Sequence, residues 1–293
     1  MIELKNISVN FGKLQVLDDI SFLFKAGEVV GLVAPNGTGK STMLNVMMNY
    51  LKPQTGEVIV NGSKTYKKDS KKNELYQVIS MMPDQNDLYG HLSGYDHLKL
   101  YQELWQITRL SVEDIVSELE MSHYVKKKVS SYSLGMKQRL CFALQIMSDT
   151  SIMLMDEVMN GLDPKNVELI SQVIVRKKNE GKTIIIASHL LENLEKYSDR
   201  IYFLENGKMN LYLDKEIGYG DKSIYIKIPY LEENVMNKLS ETYPIIHLST
   251  NDSLLRLEDK TLLEQATNEL IANGIIQFSV GNLSLADAYK LKF

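Results

Sequence analysis

Cysteine is nearly missing from this chain: Cys141 is the only one in 293 residues, which excludes an intrachain disulfide and any cysteine cluster for a metal. Its place among apolar neighbours reads as a small apolar side chain on a helix. No apolar stretch approaches the ~18–20 residues that a helix needs to cross a bilayer, so any membrane pore is expected on another polypeptide. Met1-Ile2-Glu3-Leu4-Lys5 does not read as a signal peptide. A basic excess is missing too. The formal net charge is −4, which argues against a nucleic-acid footprint. The run Lys64 to Lys72, broken by Asp69 and Ser70, and the triplet Lys126-Lys127-Lys128 read as solvated loops. No repeat and no low-complexity segment stands out. What remains is 44% hydrophobic residues over a length that can bury a large core and divide into more than one domain.

Three short apolar runs stand out, each ending in chemistry. Gly27 to Val33 has the continuous apolar character of a parallel strand buried on both faces. It leads into Ala34-Pro35-Asn36-Gly37-Thr38-Gly39-Lys40-Ser41-Thr42, after which Leu44, Met47 and Met48 repeat at helical spacing until Leu51-Lys52-Pro53 stops the helix. Strand, glycine-rich turn and helix form the setting of a phosphate loop. The backbone N–H groups of Asn36, Gly37, Thr38 and Gly39 can curl around phosphate oxygens at a helix N-terminus. Lys40 can reach the β- and γ-phosphates, Ser41 can ligate Mg²⁺, and Thr42 is a candidate for the α-phosphate. The strict pattern opens with glycine, and here that place is Ala34. A left-handed backbone there would cost about 1–2 kcal/mol, so an ordinary negative φ is expected.

The second run, Ser151 to Met155, ends in Asp156-Glu157, at the carboxyl edge where open α/β sheets bind ligands. Asp156 is a candidate for the Mg²⁺ shell and Glu157 for the base that polarises an attacking water. Taken alone, an Asp-Glu pair reads more simply as a solvated acidic turn. The third run, Thr183 to Ala187, ends in Ser188-His189. Between the two acidic residues and Asn160-Gly161-Leu162-Asp163-Pro164 lie Val158-Met159, which leave the local turn less constrained. Upstream, Ser133 precedes a helical pattern in which Leu140, Ala143, Leu144 and Met147 share a face, as an N-cap would. A serine cap beside Gly135 also joins a hydroxyl, free N–H groups and a helix dipole at one point, which can grip a phosphate.

Taken in order, the phosphate loop, Tyr132-Ser133-Leu134-Gly135-Met136-Lys137-Gln138-Arg139, Asp156-Glu157, Asn160 to Pro164 and His189 resemble the motifs of the ATP-binding cassette (ABC) family. The usual Leu-Ser-Gly-Gly-Gln signature appears as Tyr-Ser-Leu-Gly-Met, keeping Ser133 and the second glycine. The resemblance implies that Ser133 and Gly135 contact the γ-phosphate of ATP bound to a second cassette. It makes Asp163 a D-loop residue, His189 the switch histidine, and Gln85, in Met81 to Asn86, the glutamine that senses Mg²⁺ and water. Phe11 falls where relatives often stack a tyrosine on adenine. Bland readings stand beside these: a polar turn for Gln85, a core or turn aromatic for Phe11, an incidental strand-end histidine for His189.

The resemblance implies an α/β P-loop NTPase cassette with a mostly parallel sheet, an antiparallel β subdomain and an inserted helical subdomain at about 86–150. Expected boundaries are 1–214 for the cassette, 215–222 for a linker and 223–293 for a small C-terminal α+β domain. There, Ser223 to Ile228, Leu254 to Leu257 and Ile275 to Val280 read as strands and Thr261 to Ala272 as a helix. Tyr95, Leu98, Leu100, Tyr101, Leu104 and Trp105 divide between the helical core and a groove that receives a membrane subunit in this family.

The implied function is an ATPase with ATP and Mg²⁺, peripheral on the cytoplasmic face of the membrane. Its implied partners are a second cassette, identical or a close paralogue, and separate transmembrane permease subunits. Ser284 to Tyr289 resembles the ending of drug- and peptide-exporter ATPases, which points to export, with an amphipathic or antimicrobial peptide or a drug as cargo. Alternatives are a soluble ABC ATPase not tied to a membrane and a catalytically impaired regulatory cassette. The short stretch between Lys40 and Ser133, free of heptads, argues against a coiled-coil-bearing form of the first. Lys40, Gln85, Glu157 and His189 argue against the second.

Overall fold

A computed structural model describes residues 1–62, 64–66, 72–189, 191, 194–248 and 252–293. The chain forms two compact units, Met1–Asn210 and Leu211–Phe293. The first opens with a β-hairpin, β1 (Ile2–Phe11) and β2 (Leu14–Phe24), whose residues alternate between core and solvent, the pattern of a sheet with one wet face. With β4 (Thr55–Val60) and β5 (Lys64–Thr65) it makes an antiparallel sheet of order β2-β1-β4-β5, taking β3 as Val29–Val33. Part of the basic run, residues 67–71, lies outside the described residues; Lys126, Lys127 and Lys128 are exposed.

The main sheet is built from β3, β6 (Ile79–Met81), β7 (Ile152–Asp156), β8 (Thr183–Ser188), β9 (Arg200–Glu205) and β10 (Lys208–Asp214), in the order β10-β9-β3-β8-β7-β6. β9, β3, β8, β7 and β6 run parallel. Every residue of β3 and β8 is buried, which explains why these strands read as unbroken apolar runs rather than alternating ones.

Helices follow the strands: α1 (Lys40–Met47) after β3 and α2 (Lys72–Tyr76) before β6. α1 stops at Met47, short of the expected Leu51, because the chain turns through Met48 and a left-handed Asn49, a common helix terminator. Between β6 and β7 come α3 (Gly94–Leu104), α4 (Val112–Glu118) and α5 (Leu134–Met147). Ser93, Ser111 and Ser133 cap them through their side chains. From Leu140 to Met147 α5 is buried on all sides, and burial pushes the Cys141 thiol up to about 12, as befits an inert core residue. α6 (Pro164–Asn179) starts on an Asp163 cap with proline in its first turn and ends on Arg176-Lys177-Lys178, matching both ends of its dipole. α7 (Leu194–Tyr197) precedes β9.

In the second unit β11 (Gly218–Tyr219) pairs with Leu213 and Asp214. Then β12 (Ile224–Ile228), α8 (Glu233–Ser240), β13 (Ile245–His247), β14 (Ser253–Leu257), α9 (Leu262–Ala272) and β15 (Ser279–Gly281) follow one another. Their sheet has the order β13-β14-β12-β15 with every neighbour antiparallel, the split β-α-β arrangement of ferredoxin-like folds. Ile226, Ile228, Leu255 and Leu257 pack on Leu239, Ala266 and Leu270 of the two helices. The sequence reading missed α8, β13 and the closing α10 (Leu285–Lys292), and β15 begins at Ser279 rather than Ile275.

Candidate nucleotide site

Strand register decides what meets at the carboxyl edge of the main sheet. Val33 pairs with Ser188, and Asp156 with Ala187. The loop after β3, the acid pair at the end of β7 and His189 after β8 therefore leave the sheet at one level. The cleft between them is lined by Asn36, Gly37, Gly39, Lys40, Ser41, Thr42, Asp156 and Glu157.

Two glycines in the loop have left-handed backbones, Gly37 at φ 83° and Gly39 at φ 111°. Gly39 is also hemmed in: a Cβ there would lie 2.6 Å from Val16 Cγ1 and 3.2 Å from the Val16 carbonyl. Ala34 is fully buried and is not among the residues with positive φ, so its methyl is accommodated where the strict pattern has glycine. Lys40 is only 5% exposed, and its ammonium donates to the carbonyls of Ala34 (2.6 Å) and Pro35 (3.1 Å). A phosphate entering the loop would compete with these carbonyls for the same charge. The Thr38 hydroxyl donates to Pro35 as well, at 2.8 Å.

Opposite the loop, the Ser41 hydroxyl donates to Asp156 Oδ2. Burial pushes the Asp156 carboxyl above the usual carboxylate range against the pull of that hydrogen bond, and the neighbouring Glu157 charge adds to the push. Asp156 Oδ1 is buried with no hydrogen-bond partner. A divalent cation beside Ser41 would satisfy that oxygen and offset the paired negative charge, so these residues fit Mg²⁺. Among the described residues no three His, Cys, Asp or Glu side chains converge as a metal cage. That suits an ion that is bound through one or two carboxylates and substrate phosphates.

Glu157 has a left-handed backbone, φ 50°, uncommon outside glycine and asparagine. Its N–H donates to the Ala187 carbonyl at 2.9 Å. Its carboxylate accepts the His189 N–H at 3.1 and 3.3 Å and the Ser188 hydroxyl at 3.4 Å. Lys40 Nζ stands 3.6 Å from Oε1. His189 Nδ1 lies 2.7 Å from Oε1 but at angles that make no hydrogen bond. The carboxylate is thus held at the cleft with both oxygens engaged.

Gln85 does not line this cleft. It lines an adjoining groove of about 710 Å³ that also reaches Tyr101, Leu134, Asp156 and Glu157. Its Nε2 donates to Gln138 Oε1 at 2.5 Å, and Gln138 Nε2 donates to the carbonyls of Glu157 (2.9 Å) and Val158 (3.0 Å). The turn that Val158-Met159 was expected to loosen is therefore pinned from the side. In the sequence Gln138 stood within the signature stretch Tyr132 to Arg139 but was given no role of its own. The available signal was an amide on the apolar side of a helix, repeated seven residues later at the equally buried Gln145.

Other expected site residues stand apart. Phe11 is 52% exposed at the hairpin tip and does not line the cleft. Ser133, exposed, accepts the Met136 N–H at 3.3 Å as the cap of α5, and Gly135 faces the Gly161 carbonyl; neither lines the phosphate-loop cleft. The Asp163 carboxylate accepts from Asn166 at 2.7 and 2.9 Å while capping α6.

Comparison with known proteins gives a consistent picture. The family profile described as ABC transporter matches residues 17–160. A lantibiotic transport ATP-binding protein, SrtF, of Streptococcus pyogenes is 30% identical over 216 residues, covering 74% of this chain and 91% of its own. The bacitracin transport ATP-binding protein BcrA of Enterococcus faecalis is 27% identical over 284 residues, 94% of this chain and 90% of its own. Among solved structures, a dimeric ATP-binding cassette in a post-hydrolysis state with ADP and phosphate superimposes with TM-score 0.64 at 26% identity. That match covers 71% of this chain and 96% of the other.

Proposed function

This chain belongs to the ABC transporter family as one of its ATP-hydrolysing, nucleotide-binding cassettes, and on that premise we propose that it drives export of an amphipathic peptide or drug through separate membrane subunits. Cassettes of this family dimerise and serve membrane partners. The observation that carries the site assignment is the convergence of Lys40, Ser41, Asp156 and Glu157 on one cleft.

Lys40 exchanges the Ala34 and Pro35 carbonyls for the β- and γ-phosphates, and the loop N–H groups around Gly37 and Gly39 cradle them. Ser41 and Asp156 would hold Mg²⁺, which when bound neutralises charge on the β- and γ-phosphate oxygens. Gln85 senses the same site from the adjoining groove. Glu157, steadied by Ser188 and the His189 N–H, orients and polarises the water that attacks the γ-phosphorus as the bond to the β-phosphate oxygen breaks. His189 stands beside that carboxylate as the switch residue. Phe11 stacks on the adenine.

Ser133, exposed, and Gly135, half-buried, at the start of α5 and away from their own phosphate loop, act on ATP held by the second cassette, identical or a close paralogue. Asp163 reaches the same interface. The cassette spans 1–214 and residues 223–293 form an accessory domain. Among the described residues no helix is long and apolar enough to cross a membrane, and we place the protein peripherally on the cytoplasmic face.

Relatives named for lantibiotic and bacitracin transport support the peptide cargo. The test is resistance of cells expressing the chain with its membrane partner to a lantibiotic and to bacitracin, against a Lys40→Ala control. Equal sensitivity of both strains, with phosphate release intact in membranes of the first, would overturn the cargo assignment.

A further inference from the structure

Gln138 occupies a position that the nucleotide chemistry has not yet explained. It sits on α5 with 4% of its surface exposed, and its amide is almost fully used. Both Nε2 donations go to carbonyls, those of Glu157 at 2.9 Å and Val158 at 3.0 Å. Carbonyls only accept, so this end of the amide must be the nitrogen and Oε1 must face Gln85, whose Nε2 donates to it at 2.5 Å. The two carbonyls lie on either side of Val158, directly after Glu157, the residue with the left-handed backbone. Such a conformation persists only where its surroundings over-determine it. Three contacts do so: the Glu157 N–H on Ala187, the Asn160 N–H on the Glu157 carbonyl at 3.0 Å, and Gln138 from the side. The first two belong to the sheet and the turn. The third connects the turn to α5.

We propose that Gln138 is a positioning residue: it locks the left-handed turn that aims the Glu157 carboxylate, and it makes that aim depend on where Gln85 and the start of α5 stand. The proposal rests on Glu157 being the base of ATP hydrolysis. A signal at the Gln85 loop then reaches the base through two side chains, and displacement of α5 releases the same turn.

The experiment measures phosphate release and equilibrium ATP binding with the full chain and its membrane partner for Gln138→Leu, Gln138→Asn, Gln85→Ala and the double variant. Gln138→Asn keeps the amide but withdraws it by one methylene, so it tests reach should Gln138→Leu fail to fold. Gln145→Leu is the structural control. It removes an equally buried amide from the same helix face two turns on, where Gln145 Nε2 donates to Ser80 Oγ at 2.8 Å, away from the cleft. Gln138 variants should lose about 10²-fold in kcat, as small misplacements of a catalytic group do, with ATP affinity within threefold of the parent. Gln138 and Gln85 losses should be non-additive. Gln145→Leu should melt earlier with kcat unchanged. Gln138 variants with parental kcat, or a kcat loss in Gln145→Leu equal to theirs, would overturn the proposal. Failure of Glu157→Gln to slow phosphate release would instead overturn the assignment of the base.

Discussion

Two positions of the phosphate loop that the general pattern assigns to glycine should respond oppositely to substitution. At position 39 an alanine would have to hold φ 111°, which costs about 1–2 kcal/mol for an L-residue. Its Cβ would also stand 2.6 Å from Val16 Cγ1 and 3.2 Å from the Val16 carbonyl. Val16 is β-branched and lies in β2, so relief requires a shift of strand or loop, and such overpacking typically costs about 1–3 kcal/mol. Together these amount to about 2–5 kcal/mol. The loop can relax by opening its cradle, so the cost should fall on phosphate binding: about 30-fold to several thousand-fold in ATP affinity. Ala34→Gly has no left-handed strain to relieve and adds only backbone freedom, about 0.5–1 kcal/mol, so affinity should stay within about fivefold. Calorimetric titration with ATP and Mg²⁺ measures both, while fluorescence of Trp105, the only tryptophan, follows unfolding of the unit that holds the site. Near-parental affinity and melting in Gly39→Ala, or a tenfold gain in Ala34→Gly, would refute this reasoning.

Lys40→Ala should abolish measurable ATP binding, because Lys40 is the point charge on the β- and γ-phosphates; unchanged affinity in a filter or calorimetric assay would count against it. Glu157→Gln should slow phosphate release by about 10²–10⁴-fold while binding ATP normally, and with ATP and Mg²⁺ it should accumulate a dimer visible by native mass measurement, most readily beside the membrane partner. ADP should give no such dimer. In the second unit, the Lys227 ammonium and the Ser284 hydroxyl hold the Asp287 carboxyl below its ordinary value of 3.8 against the push of burial. A depressed folded-state value stabilises above the unfolded one and is lost as pH falls through the folded one. Asp287→Asn should therefore speed hydrogen exchange at β12 amides near pH 7, by an amount matching about 1–2 kcal/mol since Lys227 is 32% exposed, and the difference from the parent should shrink progressively as pH falls below 3.8 and through the lower folded-state value. A difference that does not shrink on acidification would show that the carboxylate is not its source.

What the sequence determined by itself is local. A strand buried on both faces must be apolar along its length, so Val29–Val33, Ile152–Asp156 and Thr183–Ser188 announced themselves, together with the chemistry at their ends. Helix caps were legible for the same reason: Ser133 and Asp163 meet their partners within three residues. Gly37, Gly39, Lys40 and Ser41 are neighbours along the chain and needed no fold to be found together.

Tertiary structure decided everything that depends on register or on a distant partner. That Asp156 meets Ser41 across 115 positions, and that Glu157 lies beside Lys40 and His189, follows from Val33 and Asp156 pairing at one level of β8. A slip along β8 would separate them without changing any motif. The short strands and helices of the second unit were partly hidden because β13 and β15 have only three residues each, too few for a period to show. The role of Gln138, a residue within the signature stretch, was hidden for a different reason. Its amide acts on backbone carbonyls about 20 residues away, and a backbone carbonyl has no side-chain identity for the sequence to display.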